Sequence, residues 1–144
     1  MYNLTFAERN NLEGADALIG PKSAFEIVEH YVLYLGKAPD GTDVYMDNNA
    51  NEGVRYLTEE RMLQENPKFH RIRKFAGNEY QRNFAINRAI ALHRKQYHLT
   101  KFNCEHFANH VQYNTPVSKQ VNNGFGIAAA IAGIAILFAA FGRE

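Results

Sequence analysis

Short apolar runs broken by glycine, proline, aspartate and asparagine fill the first half of the chain, and a helical spacing takes over afterwards. Residues 15–20, ended by Gly20-Pro21, predict a first strand. The run from Phe25 to Leu35 is rich in β-branched and aromatic residues and predicts one strand, or two joined at a bend. Pro39-Asp40-Gly41 marks a turn within 36–41, so 43–48 forms a hairpin with the strand before it. A further strand is expected over 53–57, and Thr58-Glu59-Glu60 reads as an N-cap opening a short helix through Gln64. Phe69, Ile72 and Phe75 punctuate a basic segment, 68–75, that predicts another strand. Over 78–96, Phe84, Ile86, Ala89, Ile90 and His93 fall near one face of a helix. A second helix follows at 104–113, with Phe107 and Val111 at i and i+4, stopped by Asn114-Thr115-Pro116. The polar stretch up to Glu13 reads as a short helix or an irregular lead-in.

The end of the chain has a different pattern. From Gly124 to Gly142 no residue is charged, and Arg143-Glu144 follow. As a helix this run would span roughly 28 Å, close to the hydrocarbon thickness of a bilayer. Three readings compete: a membrane-inserted tail, a buried core helix, and a helix packed on a partner. Apolar residues all the way round, with no single stripe, disfavour a surface helix, and the membrane-inserted tail is the expected reading. Ala129 and Gly133 add a small-xxx-small pair suited to helix packing in lipid. The expected organisation is a domain over 1–121 and a C-terminal hydrophobic anchor segment over 122–144.

With 144 residues there is room for one moderate core. A net charge of +1 gives no global field for nucleic acid, which is not expected as a partner. His70-Arg71-Ile72-Arg73-Lys74 and His93-Arg94-Lys95 are local basic patches, either solvated faces or contacts for anionic lipid headgroups. The single cysteine excludes an intrachain disulfide and a zinc site built on several thiolates, and fits a reducing compartment. Residues 1–20 lack a basic segment followed by an apolar stretch, so no secretion signal is expected there.

That cysteine is the sharpest chemical feature. It lies in Asn103-Cys104-Glu105-His106-Phe107, where a helix begins. Unpaired amides and the helix dipole at such a position favour a thiolate. His30 leads the apolar run Tyr31-Val32-Leu33-Tyr34-Leu35-Gly36, and a strand histidine with a helix cysteine outlines a nucleophile and its base. Each has a plainer reading, since a lone cysteine is usually a small buried hydrophobe and a lone histidine a satisfied core residue. Glu105 and His106 read as residues that cap and pack the first turn. His93, His98 and His110 read as ordinary helix or loop residues. No pair shows the His-Glu-x-x-His spacing of a zinc hydrolase, so neither metal nor cofactor is expected.

The run Asn103-Cys104-Glu105-His106-Phe107, with Tyr113-x-Thr115-Pro116-x-Ser118-x-Gln120 after it, resembles the lecithin:retinol acyltransferase family, including its small phospholipase A/acyltransferases with C-terminal hydrophobic anchors. His30-Tyr31-x-x-Tyr34-Leu35-Gly36 resembles that family's histidine strand, and Gly14-Ala15-Asp16-Ala17-Leu18-Ile19 the strand before it. The likeness runs from about residue 13 to the tail.

It implies an α+β fold, a circularly permuted papain-like domain with an antiparallel sheet packed against helices. It also implies Cys104 as the acyl-accepting nucleophile and His30 as its base. Animal members usually carry a second histidine on the next strand, where this chain has Val44-Tyr45-Met46-Asp47-Asn48. Asp47 is the expected substitute, with Asn48 the alternative, because an acceptor oxygen can hold the imidazole N–H. The implied activity is acyl transfer or hydrolysis on a phospholipid ester at a membrane, with the catalytic domain facing the cytoplasm. A cysteine peptidase or amidase of the same superfamily, and a non-enzymatic membrane-interacting module, are the alternatives.

Overall fold

The structure is a computed structural model and describes residues 2–22 and 28–114. In chain order these form α1 (Phe6–Arg9), β1 (Ala17–Pro21), β2 (Glu29–Lys37), β3 (Asp43–Asn49), β4 (Gly53–Thr58), α2 (Glu59–Glu65), β5 (Arg71–Arg73), α3 (Glu79–Ala91) and α4 (Cys104–Tyr113). The strands make an antiparallel five-stranded sheet in the order β4-β3-β2-β1-β5. This mixed α+β architecture agrees with the expected fold class. The uncharged run over 124–142 lies outside the described residues. Among the described residues no helix is long and apolar enough to cross a membrane.

Both faces of the sheet are covered, which is why its strands read as nearly continuous apolar runs. Tyr31, Leu33, Met46 and Val54 pack with Ala85 and Ala89 of α3 and Phe107 and Val111 of α4. On the opposite face Leu18, Val32, Tyr34, Tyr45 and Leu57 pack with Ala7 of α1 and Met62 of α2. Fully burying a side chain such as Phe107, Leu33 or Met46 stabilises the fold by about 1.5–3 kcal/mol.

Register places the polar residues. Val32 of β2 lies opposite Asp47 of β3, and Asp47 lies opposite Arg55 of β4. The β2–β3 ladder shifts by one between Tyr34 and Gly36. Gly36 has a φ of 117°, which a side chain would rarely allow.

Two predicted elements differ in extent. The helix expected over 78–96 stops at Ala91, because the chain then turns back onto β4. The Arg94 amide donates to the Val54 carbonyl at 2.8 Å, and the Val54 amide to the Lys95 carbonyl at 2.9 Å. Gly53, with φ 71°, allows that approach, since a Cβ there would strike the Lys95 carbonyl. The inward face of α3 differs only in part from the one expected, since Ala89 and Ile86 do pack inward. Ala85 and Ala89 are fully buried, whereas Phe84 and Ile90 remain 49% and 44% exposed.

The strand expected over 68–75 contracts to Arg71–Arg73. Most of its cations have partners within the fold. His70 and Arg71 both reach Glu29, at 3.2 and 2.7 Å, and Lys74 reaches Asp16 at 2.6 Å.

Candidate active site

Helix α4 starts with a reciprocal cap. The Asn103 side chain accepts from the His106 amide at 3.0 Å, and His106 Nδ1 accepts from the Asn103 amide at 3.1 Å. His106 thus takes the place that Glu or Gln fills in the usual capping box. With Nδ1 accepting, its proton sits on Nε2, and burial pulls its pKa below the usual value. The expectation that His106 caps the first turn agrees with this geometry.

The cap fixes Cys104 at the first helical position, where its own amide has no intrahelical partner. The residue is 2% exposed, and its thiol donates to the Glu29 carbonyl at 3.6 Å. The α4 N-terminus therefore meets the beginning of β2, one residue from His30.

His30 joins the two halves of the site. Its Nε2 lies 2.9 Å from Asp47 Oδ2. Strand geometry accounts for the contact: Asp47 faces Val32 directly, and His30, two residues earlier on the same face, is its diagonal neighbour. With Nε2 taken, Nδ1 is the ring nitrogen open to sulfur, and the Cys104 thiol sits at the carbonyl of Glu29, the residue before His30. Burial disfavours an imidazolium here. The hydrogen bond to Asp47 and the proximity of Cys104 outweigh it and raise His30 to about 9. Asp47 is driven the other way. Burial opposes its charge, but His30 and Arg55 hold its carboxyl below the ordinary range.

Asn48 is not a member of this cluster. Side chains alternate along a strand, so Asn48 points to the opposite face of the sheet. There its Nδ2 donates to the Phe102 carbonyl at 2.9 Å, tying β3 to the loop before α4. Of the two residues weighed from sequence, Asp47 is the one at the imidazole.

Arg55 was not foreseen. It is 8% exposed and grips both oxygens of Asp47, which is fully buried. It also pairs with Glu52 and Glu65, and Arg61 joins those carboxylates at 2.8 and 3.0 Å. The Glu29 carbonyl beside the thiol was likewise not foreseen.

The other histidines stand apart. His93 packs on the Tyr56 ring at 4.5 Å, and His98 Nδ1 accepts from the Thr100 and Lys101 amides. His110 is buried, and burial together with Arg88 and Lys95 pushes it down to about 4. Among the described residues no group of three or more His, Cys, Asp or Glu could hold a metal ion. A groove of about 470 Å³ opens on the α1–α2 side, lined by Phe6, Leu63, Phe69 and Ile72 among others, and contains none of the cluster.

Comparison with family models, curated proteins and solved structures finds no match to this chain. A thiol beside an imidazolium, with a buried carboxylate on the far ring nitrogen, is equipped for nucleophilic attack and proton transfer at one point.

Proposed function

We propose that this protein is a thiol-dependent acyltransferase or phospholipase A that takes an acyl group from a phospholipid ester onto Cys104. The supporting observation is the hydrogen bond from His30 to the buried Asp47 at 2.9 Å, with the Cys104 thiol held at the carbonyl of the residue before that histidine. The choice of lipid ester rests on the sequence resemblance and on the uncharged run over 124–142, which serves as membrane anchor. The order of the parts, histidine strand before cysteine helix around an antiparallel sheet, supports the permuted papain-like reading of the fold.

In this mechanism the Cys104 thiolate attacks the ester carbonyl carbon, a C–S bond forms, and the carbonyl electrons move onto oxygen. The Cys104 amide is positioned to donate to that oxyanion, a contact worth roughly 3 kcal/mol when removed. As the C–O bond breaks, protonated His30 gives its Nδ1 proton to the departing alkoxide. The acyl-thioester and neutral His30 remain. His30 then takes a proton from water, an amine or a hydroxyl as that group attacks, and the thiolate leaves. Asp47 keeps the imidazole oriented throughout and stabilises its charged form.

The test compares wild type with Cys104→Ser on labelled phospholipid vesicles and on a panel of labelled peptides. Release of fatty acid or acylated acceptor by wild type alone supports the reading. Cleavage of peptides but not lipid makes it an amidase. Equal effects of both proteins on the vesicles make it a non-enzymatic membrane module. Deletion after Val121 is expected to move the protein from membrane to soluble fractions.

A further inference from the structure

The buried thiol belongs to a closed circuit of contacts. The Cys104 thiol donates to the Glu29 carbonyl, and the peptide before Glu29 belongs to Val28, whose carbonyl accepts from the Lys22 amide at 2.7 Å. Lys22 Nζ lies 3.2 Å from the Tyr97 hydroxyl and 5.1 Å from the centre of that ring. From Tyr97 the chain enters a tight loop closed by paired His98 and Phe102 backbone bonds of 2.8 Å each. The Leu99 carbonyl in that loop accepts from the Asn103 side chain at 3.1 Å, which returns the circuit to Cys104.

Two aliphatic side chains on this circuit face water. Leu99 is 69% exposed at the loop tip and Val28 is 40% exposed. The loop is held too firmly for Leu99 to fold inward: its two strand-like ends are paired, and His98 Nδ1 accepts from the Thr100 and Lys101 amides. Lys22 and Lys101 are also exposed on the circuit. Glu29, next to Val28, serves His70, Arg71 and the Tyr31 hydroxyl. Firmly presented aliphatic tips among lysines match the chemistry of a bilayer surface that is apolar beneath and anionic above. A globular protein partner would call for a larger continuous apolar patch than two side chains provide.

We infer that the rim formed by Lys22, Val28, Tyr97, Leu99 and Lys101 is a docking surface for an anionic phospholipid bilayer, seating the mouth of the Cys104 site against the lipid. The inference rests on the proposed lipid-ester reading, and concerns how substrate reaches a thiol that is itself 2% exposed. Leu99 and Val28 enter the acyl region while Lys22 and Lys101 engage headgroup phosphates.

The chain has no tryptophan, so Leu99→Trp supplies a single indole on the rim of the full-length protein. On vesicles of phosphatidylcholine with phosphatidylserine, the indole emission should shift to the blue and be quenched by brominated acyl chains. Adding Lys22→Glu and Lys101→Glu should reduce that quenching at least fivefold, while sedimentation through the tail persists. An indole that stays water-exposed on vesicles the protein pellets with overturns the inference. So does equal quenching in purely neutral vesicles, or a shift that depends on protein concentration without lipid, which would mean self-association. The catalytic reading is scored separately, by acylation of Cys104 from a monomeric short-chain ester. Acylation with a dry rim sinks the docking surface alone, and an inserted rim without acylation sinks the chemistry alone.

Discussion

Arg55 lies directly across from Asp47 in the β3–β4 ladder and holds both of its carboxylate oxygens, Nε to Oδ1 at 2.7 Å and Nη2 to Oδ2 at 3.1 Å. Such a two-point grip fixes the plane of the carboxylate, and one edge of that plane points Oδ2 at His30. Glu52 and Glu65 flank the guanidinium from the solvent side, so Asp47 is the buried end of a chain of alternating charges.

Removing the cation from this pair leaves a buried carboxylate without its counter-ion, which costs about 3–5 kcal/mol in comparable settings. Arg55→Met should lose stability in that range in urea unfolding at pH 7. Arg55→Lys should lose less, because a point charge remains although the fork does not. A wild-type midpoint for Arg55→Met would show that Asp47 does not depend on this partner.

Asp47 and Asn48 separate by face, and their variants should separate by phenotype. Asp47→Ala is expected to reduce turnover by 10²-fold or more by freeing the imidazole. Asn48→Ala should cost about 1–2 kcal/mol of stability through the lost bond to Phe102, with turnover within roughly threefold of wild type. Steady-state kinetics beside thermal melts would decide this, and the reverse ranking would remove Asp47 from its role.

His30 is raised above its unfolded value of 6.5 to about 9, so it binds its proton more tightly in the folded state. The stability it contributes is fully present below pH 6.5 and is lost as pH rises through about 9, on the order of 3 kcal/mol in all. Asp47 is lowered, so its contribution is present above pH 3.8 and fades as pH falls through the folded value. Stability measured against pH should therefore drop on the alkaline side near 9, and kcat/KM should fall with the imidazolium that protonates the leaving group. Asp47→Asn should bring that alkaline limb down toward 6.5. A limb unmoved by the substitution would mean another group sets it.

Much of this was legible from the chain because the short strands are bounded by turn residues and buried on both faces. Pro39-Asp40-Gly41 located the β2–β3 connection, and Thr58 and Asn114 marked real helix boundaries. The cysteine and histidine stood out by residue type and by the motifs around them. Arg55 did not, because an arginine between Val54 and Tyr56 looks like an ordinary outward strand position. Only the hairpin register, counted from Asn49 opposite Gly53, sets it against Asp47. The same counting sets Asn48 opposite Val54, on the other face from Asp47, the residue expected at the imidazole. On α3 the expected face holds in part, since Ala89 and Ile86 pack into the core and Phe84 and Ile90 do not. Close approach of α3 to α4 and the sheet selects small residues, Ala85 and Ala89, and leaves Phe84 and Ile90 at the margins.

The unusual cap at Cys104 gives a further prediction. His106→Gln keeps a side chain able to engage the Asn103 amide and should retain most activity, as expected of a capping residue. Asn103→Ala removes the cap and the tie to Leu99, and should lose about 1–2 kcal/mol together with most acyl transfer. Activity abolished in a stably folded His106→Gln protein would give His106 a chemical role.

The most direct measurement is the mass of the protein after brief exposure to a phospholipid with a labelled acyl chain. One acyl group should be found on Cys104, removable by hydroxylamine as a thioester and absent from Cys104→Ser and His30→Ala. A protein that turns over lipid with no adduct at Cys104, or that carries the acyl group on another residue, would contradict the account.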